Sequence, residues 1–191
     1  MSTTAFKSTT KLNGIDLDAL NQTVQEIQRD PAKAMTTFRV KTTWQGQTVS
    51  ETKIESYHLS GQEIKREFTF RTDEPAELLG TNTNPNPQEY LMGALNACMT
   101  VGYVAACALN GIKLEKLEIE TEGDIDLRGF LALDPQVIPG YESITYTVHI
   151  KGDATPEQFQ KIHEFVKKTS PNYYNLANAI TLNSKLVVNS E

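Results

Sequence analysis

Residues 91 to 109 read LMGALNACMTVGYVAACAL, nineteen positions in a row without a charge. As an α-helix such a run is long enough to span a bilayer, so it either crosses a membrane or lies inside a protein. More than half of its residues are Ala, Gly, Asn, Cys or Thr, and Lys113 is the only basic residue close to either end. Membrane spans are richer in large aliphatic side chains and carry basic flanks, so the reading is a buried helix of a soluble protein. Asn86-Pro87 marks the start and Asn110-Gly111 the end, giving a helix from about Pro87 to Leu109. Its apolar residues surround the axis, which predicts cover on most sides. A chain of 191 residues would struggle to supply that cover alone, so a second copy is expected.

The rest of the chain arranges itself around this helix. Residues 1 to about 13 are rich in Ser, Thr and Lys and are expected to be mobile. Leu17, Leu20, Val24 and Ile27 then recur at helical spacing, with Asp16 or Asp18 as cap and Pro31 as stop. We divide the chain into an N-terminal arm, 1–35, and one α+β domain, 36–191. From Thr36 to Arg71 the apolar period falls to two, as in an antiparallel meander of about three strands turning at Gly46 and Gly61. Residues 72–87 form a Pro/Asn/Thr loop. After the long helix, Leu114, Leu117, Ile119, Ile125 and Leu127 predict strands, 128–141 an apolar loop, and Ile144 to Ile150 a further strand. Thr155-Pro156 opens a helix, a second short helix begins at Ser170-Pro171, and ITLNSKLVV, 180–188, predicts a last strand. Strands and helices are segregated, which defines the α+β class.

Charge and motifs exclude several functions. The net charge is −6 and no basic run exists, which argues against a nucleic-acid partner. Phosphate loops, nucleophile elbows and Cys-x-x-Cys pairs are absent from the sequence. His58, His149 and His163 are scattered without ligand spacing, so neither a metal nor another cofactor is expected. Two cysteines make no disulfide framework, and the first residues lack a secretory pattern, so a reducing cytoplasm is the expected compartment. Cys98 and Cys107 therefore remain as the candidates for chemistry. Nine positions of helix separate them by about 13.5 Å and put them on opposite faces, so they cannot bond to each other.

The stretch PNPQEYLMGALNACM, followed by NGIKLEKLEIETEGDIDLRGFLALD and YESITYTVHIKGDATPEQFQKIHEFVKKTSP, resembles the OsmC/organic hydroperoxide resistance family over about residues 36–189. GDIDLRGFL is similar to a less-characterised OsmC-like branch. The resemblance implies an intertwined homodimer with antiparallel sheets wrapped around long central helices. It also implies thiol-dependent reduction of organic hydroperoxides, linked to oxidative stress. In that family one cysteine becomes a sulfenic acid and a second cysteine closes a disulfide with it, assisted by an Arg and a Glu. Cys98 falls on the peroxide-reacting cysteine. Gln88 falls on the glutamate, with Glu89 one residue later. Arg71, or else Arg39, is the candidate arginine. Ser170, before Pro171, stands where the resolving cysteine belongs, so an external thiol must complete the cycle. The alternative is a non-enzymatic dimer that binds a small apolar molecule or senses redox state through Cys98.

Overall fold

The computed structural model of the chain describes residues 10–188. Residues 1–9, most of the segment expected to be mobile, lie outside it. The end of that segment is built into the fold. Lys11–Leu12 (β1) and Ile15–Asp16 (β2) form a small antiparallel hairpin. Asn13 at its turn has a φ of 52°, and its side chain donates to Ile112 O and accepts from Leu114 N, both at 2.9 Å. An asparagine tolerates this backbone region better than other non-glycine residues. Asp16 then caps helix Leu17–Arg29 (α1), accepting from Ala19 N at 3.0 Å. No residue of α1 is buried, although its apolar positions share one face.

The meander has four strands where three were expected. Thr36–Phe38 (β3) and Lys41–Trp44 (β4) lie end to end along one edge of Ser50–Leu59 (β5), and Gln62–Thr72 (β6) lies along the other. The break at Arg39 and Val40 divides what the alternation alone reads as one strand. All pairings are antiparallel. This sheet contributes no residue to the hydrophobic core. Its exposed apolar side chains include Phe38, Val40, Trp44 and Phe68. Phe70 stacks on Tyr90 at 4.9 Å and links the sheet to the long helix.

That helix, Pro87–Leu109 (α2), runs between its expected ends. It starts in a capping box: the Asn86 side chain accepts from Gln88 N at 2.7 Å, and the Glu89 carboxylate accepts from Asn86 N at 2.7 Å. Such a box satisfies backbone donors that the first turn leaves free. Leu114–Glu122 (β7) follows and pairs with Thr145–Gly152 (β8). Ile125 makes only an isolated bridge to Tyr141, and Leu127 begins the short helix Leu127–Phe130 (α3) rather than a strand. Asp126 causes this, capping α3 through Arg128 N at 2.9 Å. Helices Pro156–Thr169 (α4) and Pro171–Ala177 (α5) complete the fold. The expected last strand at 180–188 is absent as a strand: the segment is irregular, and Leu182, Leu186 and Val188 are exposed.

The core lies where α2, α4 and the β7–β8 ribbon meet. Leu95, Met99, Tyr103, Ala106 and Cys107 of α2 pack on Ile162 and Val166, with Leu117, Ile119, Tyr146 and Val148 against them. Each large side chain buried there stabilises the fold by about 1.5–3 kcal/mol. Gly102 allows the close crossing of α2 and α4: a Cβ there would sit 3.1 Å from Val166 Cγ1. By length and composition α2 could cross a membrane, but one of its faces is filled by this core. The other face, including Leu91, Ala94, Ala97 and Val101, is exposed in the single chain, so cover on most sides is not achieved within it.

Candidate functional site around Cys98

Cys98 sits in the middle of α2, half-buried, where α5 crosses over it. Ser170, at the junction of α4 and α5, donates its hydroxyl to Cys98 Sγ at 3.3 Å. The serine is 4% exposed. Its backbone N–H is held by Val166 O at 2.9 Å, and its Oγ accepts from Tyr173 N at 3.3 Å as the cap of α5. Asn172 donates to Ala94 O at 2.8 Å, one helical turn before Cys98. Two contacts thus seat α5 on the same turn of α2.

A cavity of about 450 Å³ opens along the preceding turn of α2, and neither Cys98 nor Ser170 lines it. Leu91 and Leu95 line it from α2, Tyr173 and Leu176 from α5, and Tyr141 and Tyr146 from the other side. Leu95 lies one turn before Cys98, and Tyr173 carries the N–H that binds Ser170. Its surface is more apolar than polar, and Glu142 and Ser143 line it beside the tyrosines, which suits a small molecule with an apolar body and a polar end. Burial pushes the Tyr146 phenol up, and the neighbouring Tyr173 adds to that. The phenol therefore stays a neutral donor at physiological pH.

The other expected site residues are placed elsewhere. Arg71 is held across the β5–β6 pair by Glu51, through Nη2 at 2.8 Å and Nε at 3.0 Å. Arg39 is exposed between β3 and β4. Gln88 is exposed, and Glu89 is engaged in the capping box. Among the described residues, only Ser170 hydrogen-bonds Cys98. Cys107 is fully buried, and burial pushes its thiol up, which makes it a poor nucleophile. The histidines are not gathered: His163 bonds Tyr103, and His149 faces Glu120 at 3.7 Å.

Asp73 is a residue that the sequence did not reveal. It is wholly buried, yet among the described residues no cation pairs with it. Its carboxylate accepts from Thr48 Oγ1 at 2.6 Å, Glu74 N at 2.8 Å, and the backbone and hydroxyl groups of Thr81 and Thr83. The hydroxyls of Thr48 and Thr81 lead in holding it well below the usual carboxylate range. This knot folds the loop that delivers Asn86 and the start of α2. The only signal in sequence is a loop unusually rich in threonine and asparagine, which does not single out one acid.

This arrangement of a half-buried thiol on a long helix between a two-stranded ribbon and two C-terminal helices defines a class. The OsmC-like protein family profile matches residues 80–185, and the chain belongs to that family. Its fold is similar to that of an OsmC-like protein from Mycoplasma pneumoniae, at 15% identity and a TM-score of 0.57, covering 74% of this chain and 87% of that one. It is also similar to an OsmC-like protein of unknown function from Vibrio cholerae, at 13% identity and a TM-score of 0.52, covering 73% and 92%. These likenesses carry the α+β fold with antiparallel sheets. No curated protein matches the sequence.

Proposed function

We propose that this protein is a thiol-dependent reductase of organic hydroperoxides that works through Cys98 alone, as a cytoplasmic homodimer. The supporting observation is the hydrogen bond from Ser170 to the Cys98 sulfur, with a mostly apolar cavity lined by Leu95, one turn away on α2, and by Tyr173. The Cys98 thiolate attacks the outer peroxide oxygen, the O–O bond breaks, and the alcohol leaves after taking up a proton. Cys98 is left as a sulfenic acid. Ser170 cannot close a disulfide, so an external thiol attacks the sulfenic sulfur, water leaves, and a mixed disulfide forms. A second external thiol releases the enzyme as Cys98–SH and carries away the small disulfide.

Surface area supports the homodimer. The chain exposes 14790 Å². A compact monomer of this size exposes about 9,000 Å². The excess per chain is larger than the share one subunit buries in an obligate dimer, so cover by a partner accounts for part of it.

One observation favours a second reading, a non-catalytic binder or redox sensor: Arg71 is engaged by Glu51 and does not reach the sulfur. Intact-mass analysis after stoichiometric cumene hydroperoxide separates the two. Gain of one oxygen on Cys98, with hydroperoxide consumption sustained by dithiothreitol, supports the reductase. An unmodified Cys98 at every dose removes it in favour of the binder.

A further inference from the structure

We infer that Ser170 is a catalytic residue in its own right: its hydroxyl is the hydrogen-bond donor that stabilises the negative charge on Cys98 sulfur during attack. The inference rests on Cys98 being the reacting thiol, as proposed above. It goes beyond that reading by giving Ser170 a role other than that of a missing cysteine.

The first argument is direction. A hydroxyl has one proton and two lone pairs. Tyr173 N–H donates to Ser170 Oγ at 3.3 Å and occupies a lone pair, so the proton is free to point at Cys98 Sγ, 3.3 Å away. Sulfur contacts run longer than those between oxygens, so this separation is a bonded one.

The second argument is rigidity. Ser170 N–H is tied to Val166 O at 2.9 Å, Ser170 O accepts from Tyr174 N at 3.0 Å, and the side chain is 4% exposed. Asn172 pins α5 to Ala94 O at 2.8 Å. A donor fixed in this way needs no reorganisation as charge builds on the sulfur, and water competes with it poorly.

The third argument is the lack of a rival. Cys98 lies near the middle of α2, beyond useful reach of the charge at the helix start. Among the described residues, no Arg, Lys or His bonds to it. Among the described residues of one subunit, the Ser170 hydroxyl is therefore the donor that the sulfur has.

The test is the rate of Cys98 alkylation by iodoacetamide as a function of pH, read by peptide mass on the full-length protein. Ser170→Ala removes the donor. Ser170→Gly removes it too, and glycine is tolerated at a helix cap, which keeps α5 formed if the alanine variant does not fold. Ser170→Thr keeps both donor and cap. Both deletions are expected to slow alkylation at neutral pH about tenfold or more. Ser170→Thr should restore the wild-type profile. Wild-type rate and profile in the folded glycine or alanine variant would overturn the inference. The assay uses no peroxide, so the two proposals fail separately. A profile that moves with Ser170 while Cys98 never gains oxygen sinks the reductase alone. Normal oxidation with an unmoved profile sinks only the role of Ser170.

Discussion

At the scale of single residues, two positions make opposite demands on the side chain that fills them. Ser170 holds its oxygen 3.3 Å from Cys98 Sγ. A cysteine there has a longer Cβ–S bond and places its sulfur closer still to the partner, within range of a bond about 2.05 Å long. Ser170→Cys is therefore expected to form a disulfide with Cys98 after one equivalent of hydroperoxide, seen as a loss of two hydrogens in the intact mass. It should also resist sulfinic acid formation at doses that over-oxidise the wild type. An oxidised variant without that cross-link would show that the two positions are not in disulfide reach. Asp73 makes the second demand. Its carboxylate accepts from donors on Thr48, Thr81 and Thr83. Its folded value is depressed, so its contribution to stability is present above about pH 4 and is lost as pH falls below that. Asp73→Asn turns acceptor capacity into donors that face donors. It should lower the melting temperature at neutral pH and flatten the acid limb of the stability profile, as thermal melts from pH 2 to pH 7 would show. An unchanged acid limb would mean the loop knot does not limit stability.

At the scale of elements, helices were far more legible than strands, for a physical reason. A helix satisfies its own backbone, so its start and stop signals are local. Asn86-Pro87, Asp16 and Thr155-Pro156 each stand at a helix start, and α2, α1 and α4 run from them. A strand needs a neighbour. The segment 180–188 has strand-like composition, yet among the described residues nothing pairs with it. Leu127 reads as a strand residue until Asp126 caps a turn of helix over it. At the site, the resemblance named the positions Cys98 and Ser170, which the structure sets 3.3 Å apart, whereas Asp73 and Asn172 make contacts between separate segments that no local pattern records. The α2–α4 crossing supplies an element-scale test. Val166 is fully buried against Gly102, and even one added carbon meets it at 3.1 Å. Gly102→Val should destabilise the protein by about 1–3 kcal/mol in urea melts. It should also disturb Cys98 reactivity, because the crossing seats α4 and, through Ser170, α5. A variant as stable as wild type would show that the crossing has room to spare.

At the scale of the whole molecule, a single chain leaves three apolar surfaces without cover. One is the α2 face that carries Ala94, Ala97 and Val101. Another is the β3–β6 sheet with Phe38, Trp44 and Phe68, which has no part in the core. The third is the C-terminal segment with Leu182, Leu186 and Val188. A four-stranded sheet with apolar side chains facing water is not stable by itself; it needs a packed face. Two of these surfaces belong to or follow elements that frame Cys98: the α2 face lies on its own helix, and the C-terminal segment follows α5. This is the whole-molecule basis of the homodimer proposed above. The dimer should therefore persist at low micromolar concentration in sedimentation velocity, and its urea midpoint should rise with protein concentration, as it does when folding and association are one event. Trp44→Glu puts a charge on the exposed sheet face, where it costs a free monomer almost nothing because Trp44 is 74% exposed. A dimer that covers this face would bury that charge without a partner, so the variant should dissociate or aggregate. A wild type that sediments as a stable monomer at low micromolar concentration, or a Trp44→Glu variant with unchanged mass and stability, would remove the dimer and leave those surfaces in need of a different partner.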